Sequence, residues 1–167
     1  MKWNFDGSLI GTINKNKQMH LFDPRSPTSA IVTTAHGGIK PQRMAWIGDS
    51  GKILTVGTSE FNEREWAVFD TKGDMSKPLV KAKLDNETQP MSMHFDSANE
   101  IMFIQNRGSP VLNFFYLQNS TSNPKLLPLD KFRAKDSNLY FYYLPVKNVD
   151  FMNNELVRGI RLGATSK

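Results

Sequence analysis

Three histidines, sixteen acidic and twenty-one basic side chains supply the chemistry available to this chain, which contains no cysteine. Without Cys there is no disulfide, no thiolate metal ligand and no Cys nucleophile. His36 stands out, because Ala35-His36-Gly37-Gly38 precedes a strand-like segment from which an imidazole can bridge to a neighbouring strand or turn. His20 falls mid-strand and reads as surface, and His94 adjoins Phe95 and reads as a strand or core-edge residue. A nucleophilic triad needs a nucleophile and an orienting acid around its His, and the sequence shows neither a nucleophile elbow nor a His-Glu-x-x-His pair. Glu60, Glu63 and Glu65 crowd around Arg64 and read as a charged loop and strand start rather than as an acid pair for glycoside chemistry. Gly37-Gly38 and Gly57 fit turns and strand ends, not a phosphate loop. The expectation is a protein with no catalytic residue, no metal site and no cofactor.

Basic residues outnumber acidic ones for a net charge of +5. They are scattered, with one loose cluster at Lys125, Lys131, Arg133 and Lys135 around Asp130. A solvated surface accounts for this pattern. The sharper alternative is a mildly basic face for an acidic partner such as a filament, a phosphoinositide or a nucleic acid. Aromatic residues make up 11% of the chain without interleaving with basic ones. They therefore read as core rather than as a stacking platform for bases, and no nucleic-acid partner is expected. No stretch approaches the roughly 18 apolar residues that a membrane span requires, and Met1-Lys2-Trp3-Asn4-Phe5-Asp6 has no apolar signal region. A cytoplasmic protein is the expectation.

What must position these residues is a repeated unit. Trp3-Asn4-Phe5-Asp6-Gly7-Ser8 opens a segment closing on Leu21-Phe22-Asp23, and Trp46-Ile47-Gly48-Asp49-Ser50-Gly51 opens another closing on Val68-Phe69-Asp70. The openings lie 43 residues apart and the closing Asp residues 47 apart. A period of roughly 40–45 residues with an apolar-aromatic-Asp close marks the four-stranded blade of a WD40-type β-propeller. Apolar alternation predicts strands at 8–13, 18–22 and 29–34, then at 42–47, 52–57, 65–69 and 78–84. A third unit from Met91 carries strands at 100–105 and 111–117, and a polar loop spans Gln118 to Pro124. Further strands are expected at 125–128, 139–144, 148–152 and 155–162, with a frayed end at 162–167. Turns needing positive φ are expected at Gly48-Asp49-Ser50-Gly51 and Thr71-Lys72-Gly73-Asp74. The fold class is thus all-β: an open arc of about three to four four-stranded antiparallel blades, with units near 1–41, 42–88, 89–128 and 129–167. The first blade is expected to lack its innermost strand. Phe22 and Phe69 occupy the place where such blades usually carry Trp before the closing Asp, which removes an indole N–H donor from the blade's His–Ser–Trp network.

The blocks Trp3-Asn4-Phe5-Asp6-Gly7-Ser8-Leu9, Asp23-Pro24-Arg25-Ser26 and Ala35-His36-Gly37-Gly38-Ile39-Lys40-Pro41-Gln42-Arg43 resemble the coronin family of actin-associated WD-repeat proteins. Trp46-Ile47-Gly48, Lys52 to Gly57 and Glu63-Arg64 continue the resemblance in order, strongly from residue 3 to about 70 and more weakly from 88 to 162. There Phe95-Asp96, Ile101-Met102-Phe103, Leu144-Pro145-Val146-Lys147 and Glu155-Leu156-Val157-Arg158 take part. Gln105-Asn106-Arg107-Gly108-Ser109 and Tyr140-Phe141-Tyr142-Tyr143 depart from the family pattern.

The resemblance implies the second half of a seven-bladed propeller without the family's coiled coil. It also implies binding to actin filaments and cytoskeletal regulation without enzymatic activity, in the cytoplasm and on the cytoskeleton, with other cytoskeletal proteins as further partners. A generic WD40 protein–protein interaction scaffold is the alternative. Candidate filament contacts are the basic residues Arg25, Lys40, Arg43 and Arg64, all expected to be exposed, with Arg43 the weakest of them, because an Arg entering an inner strand can instead be tied to a backbone or carboxylate partner. The end sheets should each keep an uncovered face, lined by residues such as Leu9, Ile10, Ile13, Val157 and Ile160. Self-association through exposed blade edges is the expected result.

Overall fold

The computed structural model describes residues 1–26, 31–120, 122–144 and 148–164. The first sheet holds β1 (Lys2–Trp3), β2 (Ile10–Ile13), β3 (Gln18–Phe22) and β4 (Ile31–Thr34). The second holds β5 (Arg43–Ile47), β6 (Lys52–Thr58), β7 (Arg64–Asp70) and β8 (Val80–Asp85). The third holds β9 (Met91–Asp96), β10 (Ile101–Asn106), β11 (Val111–Gln118) and β12 (Lys125–Arg133). A two-stranded hairpin follows, β13 (Asn138–Tyr143) and β14 (Gly159–Gly163). Each four-stranded sheet is an antiparallel meander in chain order. First sheet packs on second, second on third and third on the hairpin, so the sheets form an open arc of WD40 type.

Period-two alternation sorts the apolar residues between the faces. In the second sheet Met44, Trp46, Ile53, Ala67 and Phe69 point toward the first sheet and meet Met19 and Leu21 there. Leu54, Val56, Trp66 and Val68 point the other way and meet Met102, Ile104, Phe115 and Leu117 of the third sheet. Burying a side chain of this size stabilises by about 1.5–3 kcal/mol, so the second sheet, covered on both faces, anchors the arc. Polar ties reinforce it: Trp46 Nε1 donates to the Lys2 carbonyl at 3.1 Å, and Lys52 Nζ donates to Asn119 Oδ1 at 3.0 Å and the Ser120 carbonyl at 2.6 Å. The hairpin is joined to the third sheet by rings. Tyr143 stacks on His94 at 4.0 Å between centroids and lies 4.7 Å from Phe103, which meets Phe114 edge-on at 5.3 Å.

Several expectations need correction. The first blade does have an innermost strand, reduced to two residues, with Trp3 opposite Ile10 and Lys2 opposite Gly11. Leu9 and Ile13 are not on an uncovered face: they share a face with Met19 and Leu21 and pack toward the second sheet, and Ile10 is itself buried. Apolar residues left exposed at the ends are Trp3 and Val32 in the first sheet and Tyr140, Tyr142, Ile160 and Leu162 in the hairpin, whereas Val157 is half-buried. Residues 148–152 form no strand. Asp150 accepts from the Met152 amide and caps a 3-10 turn over Phe151–Asn153, which Asn154 ends at φ 57°. The last strand begins at Gly159 rather than near 155, and β12 continues to Arg133. Gly48 and Gly51 adopt the positive φ their turn requires, at 50° and 75°, but Gly73 does not. Residues 29–30 of an expected strand, position 121 of the polar loop, Pro145-Val146-Lys147 and 165–167 lie outside the described residues.

Candidate interaction surface

Antiparallel order gives the arc two rims. One carries the β2–β3 turn, the β4–β5 link and the β6–β7 turn, and the other carries the β3–β4, β5–β6 and β7–β8 connections. On the first rim Lys17 Nζ donates to the Gly37 carbonyl at 2.5 Å and the Gly38 amide donates to the Thr58 carbonyl at 2.6 Å. Lys40 Nζ donates to the Thr88 carbonyl at 2.7 Å. These bonds bind the links of the first and second sheets into one surface.

Beneath that surface lies His36, fully buried, with Nδ1 2.9 Å from Glu65 Oε1 and Nε2 3.0 Å from Thr55 Oγ1. Burial lowers the imidazole pKa, although Glu65 pulls it upward. With its pKa held below the ordinary value the ring is neutral at pH 7, and Nδ1 faces the carboxylate as donor. Nε2 meets the Thr55 hydroxyl, whose oxygen also lies 3.3 Å from the Ala67 carbonyl as its donor. Burial works to raise the Glu65 pKa, but hydrogen bonds from His36 and Lys81 outweigh it and hold the carboxyl below its usual range. Lys81 Nζ sits 2.8 Å away from Glu65. Gly57 makes room for this arrangement: a Cβ there would lie 2.6 Å from the imidazole. The bridging role expected of His36 is met, but Thr55 and Glu65 are its partners. Their positions on adjacent strands follow from the β6–β7 register, in which Thr55 faces Ala67 and Gly57 faces Glu65. No motif announces that pairing in the sequence.

The four candidate cations separate. Lys40 and Arg43 share the first rim, where Arg43 is exposed and bonded to its neighbour's carbonyl, the Gln42 oxygen, at 3.0 Å. Arg25 belongs to the opposite rim and is locked to Asp23, Nε to Oδ1 at 2.8 Å and Nη2 to Oδ2 at 2.7 Å. This fork holds the Asp23 carboxyl down at about 2. Arg64 is only 1% exposed, against its expected exposure. It opens β7 beneath the rim, where Nη1 donates to Asn106 Oδ1 at 2.6 Å and Nη2 lies 3.2 Å from Asp85 Oδ2. Burial lowers the Arg64 pKa and raises that of Asp85, although each charge favours the other. The short distance of this ion pair thus overstates its strength, because desolvation outweighs the attraction.

Among the described residues no three His, Cys, Asp or Glu side chains gather as a metal site, and no helix is long and apolar enough to cross a membrane.

No family model matches the chain. It is 24% identical over 165 residues to the coronin-like protein of Saccharomyces cerevisiae, covering 96% of this chain and 24% of that protein. It is 26% identical over 161 residues to Coronin-A of Dictyostelium discoideum, covering 96% of this chain and 35% of the relative. The crystal structure of the WD40 domain from Toxoplasma gondii coronin superposes with a TM-score of 0.86 at 25% identity, over 96% of this chain and 41% of that one. The chain is a WD40 segment of coronin type. It spans a quarter to about a third of the length of these curated coronins. The rim bearing Lys40 and Arg43 lies where the first two sheets meet.

Proposed function

We propose that this coronin-type segment binds actin filaments as part of a cytoskeletal regulator, through the rim that carries Lys40 and Arg43. The observation that supports this reading is the separation of the basic residues. Lys40 and Arg43 lie on one surface and are bonded to backbone carbonyls, which leave their charge uncompensated, whereas Arg25 is neutralised by Asp23 and Arg64 is buried. A filament with acidic surface would meet that rim by long-range attraction, which salt screens over about 10 Å at 0.1 M. Binding rather than catalysis, a cytoplasmic site on the cytoskeleton, and blade units divided near residues 41 and 88, with the third division moved from 128 to just past Arg133 where β12 ends, belong to the same proposal. So does self-association through the uncovered end faces, where Tyr140, Tyr142, Ile160 and Leu162 are exposed.

Co-sedimentation of the 167-residue chain with actin filaments tests the proposal. The expected result is weak pelleting at low salt that falls as salt is raised. Pelleting absent at low salt, in a chain shown to be folded, overturns the filament role and leaves a general interaction scaffold as the reading.

A further inference from the structure

On the rim between the first and second sheets an open groove of about 480 Å³ runs between the β2–β3 turn and the link into β5. Its cations are Lys15, Lys17, Lys40 and Arg43, and no Asp or Glu lines it. Lys17, Lys40 and Arg43 are held by carbonyl oxygens, so each keeps a fixed position and its full charge. Lys15 has no hydrogen bond or ion pair among the described residues. Glu60 lies over Gly37 near this surface but does not line the groove. Between the cations lie Ile13 and Pro41, with Ile39 85% exposed, beside the neutral polar side chains of Asn14 and Gln42. An exposed aliphatic side chain within a ring of uncompensated cations has no structural purpose in the arc, since the core clusters on either side of the second sheet do not include it.

We infer that this groove is a docking site for an acidic peptide segment carrying one apolar anchor residue, whose side chain lies on Ile39 while its carboxylates meet the four cations. A bare phosphate fits less well. It would leave Ile39 unused, and phosphate sites rely on converging backbone N–H groups or the Arg fork, whereas here the nearby Gly38 amide is spent on Thr58. The inference uses the same rim as the proposed filament face but needs no filament.

The test is fluorescence anisotropy of the full 167-residue chain, without actin, against a labelled ten-residue peptide of Asp and Glu with a central Leu. Saturable binding that weakens with salt is expected. Lys15→Glu with Arg43→Glu should weaken it about tenfold or more, since both are exposed charges at the groove and neither supports the fold. Lys77→Glu with Lys125→Glu, which changes net charge equally on the opposite rim, should leave it within about twofold. Ile39→Ser should weaken binding several-fold, and a peptide with Ser in place of Leu should bind the wild type as weakly as that variant binds the Leu peptide. Equal losses from both charge-reversal pairs, or indifference to Ile39, would overturn the site as drawn. Competition by inorganic phosphate at matched ionic strength that ignores the peptide's Leu would assign the groove to phosphate instead. Peptide binding without filament pelleting would sink the filament role and keep this site. Pelleting without peptide binding would do the reverse.

Discussion

β6 and β12 are both antiparallel strands in four-stranded sheets, yet every residue of β6 is buried while eight of the nine in β12 are exposed. Sequence alternation alone does not produce that difference. β6 carries Ile53 on one face and Leu54 and Val56 on the other, and both faces have a neighbouring sheet. β12 is the outer edge strand of its sheet, as is β8, of which no residue is fully buried, and beyond β12 the next element is only a two-stranded hairpin, so Leu127, Leu129 and Phe132 stay exposed. In a blade repeat the core belongs to the interface between units, so burial depends on what stands next to a strand.

The sharpest way to break this comparison is to truncate a residue in the covered sheet. Phe69→Ala should cost about 3–5 kcal/mol in denaturant unfolding, because the side chain is fully enclosed and leaves a cavity. A loss under about 1 kcal/mol would mean that the sheet is far looser than its burial indicates.

Arg64 is next. Its Nε and Nη2 lack hydrogen-bond partners, as does Asp85 Oδ2. Arg64→Ala should destabilise by roughly 3 kcal/mol, because it strands a half-buried Asp85, while Arg64→Met with Asp85→Asn should come out near neutral. A double variant as damaged as the single one would show that the ion pair is worth more than its desolvation.

Two imidazoles should carry the acid sensitivity, His36 over the covered sheet and the half-buried His94 in the third sheet, because burial lowers the pKa of both. His36 is kept neutral in the fold, so the unfolded chain binds its proton more readily, and stability falls as pH drops below the ordinary value of 6.5. Glu65 is held below its ordinary 4.5, so its contribution is present above that value and is lost as pH falls further. Both titrations act in the same direction, one after the other. Unfolding midpoints followed from about pH 7 to pH 5 should decline for the wild type and stay flatter for His36→Gln. Parallel profiles would remove His36 from the account.

The smallest effect is expected in the hairpin. Tyr142→Ser with Ile160→Ser should change monomer stability by less than about 0.5 kcal/mol each, because the pair is exposed. The same substitutions should reduce self-association in sedimentation velocity. Unchanged association would place any contact between copies elsewhere.

The repeat and its strands were legible because Trp3 and Trp46, and Phe22 and Phe69, recur in matching contexts around alternating apolar runs. The stub β1 is not legible because two residues carry no alternation, and 148–152 is strand-like in sequence through Val149, Phe151 and Met152, although Asp150 caps a turn among them. At the candidate site, exposure was the illegible property. Arg25, Lys40, Arg43 and Arg64 are equivalent as letters. The Asp two residues before Arg25 offered a local hint of its pairing, but the burial of Arg64 depends on Asn106, forty-two positions away in another sheet. The groove is not legible in the sequence because Lys15 and Lys17 belong to a turn whose approach to Lys40 is set by the packing of one blade on the next.

The filament-pelleting assay with paired charge reversals on opposite rims tests the central claim most directly. Lys40→Glu with Arg43→Glu should abolish most of the salt-sensitive pelleting, whereas Arg25→Glu, which removes a cation already neutralised by Asp23, should leave it within about twofold. Loss of pelleting with Arg25→Glu while the Lys40 and Arg43 variant still binds would contradict the account and move the filament face to the other rim.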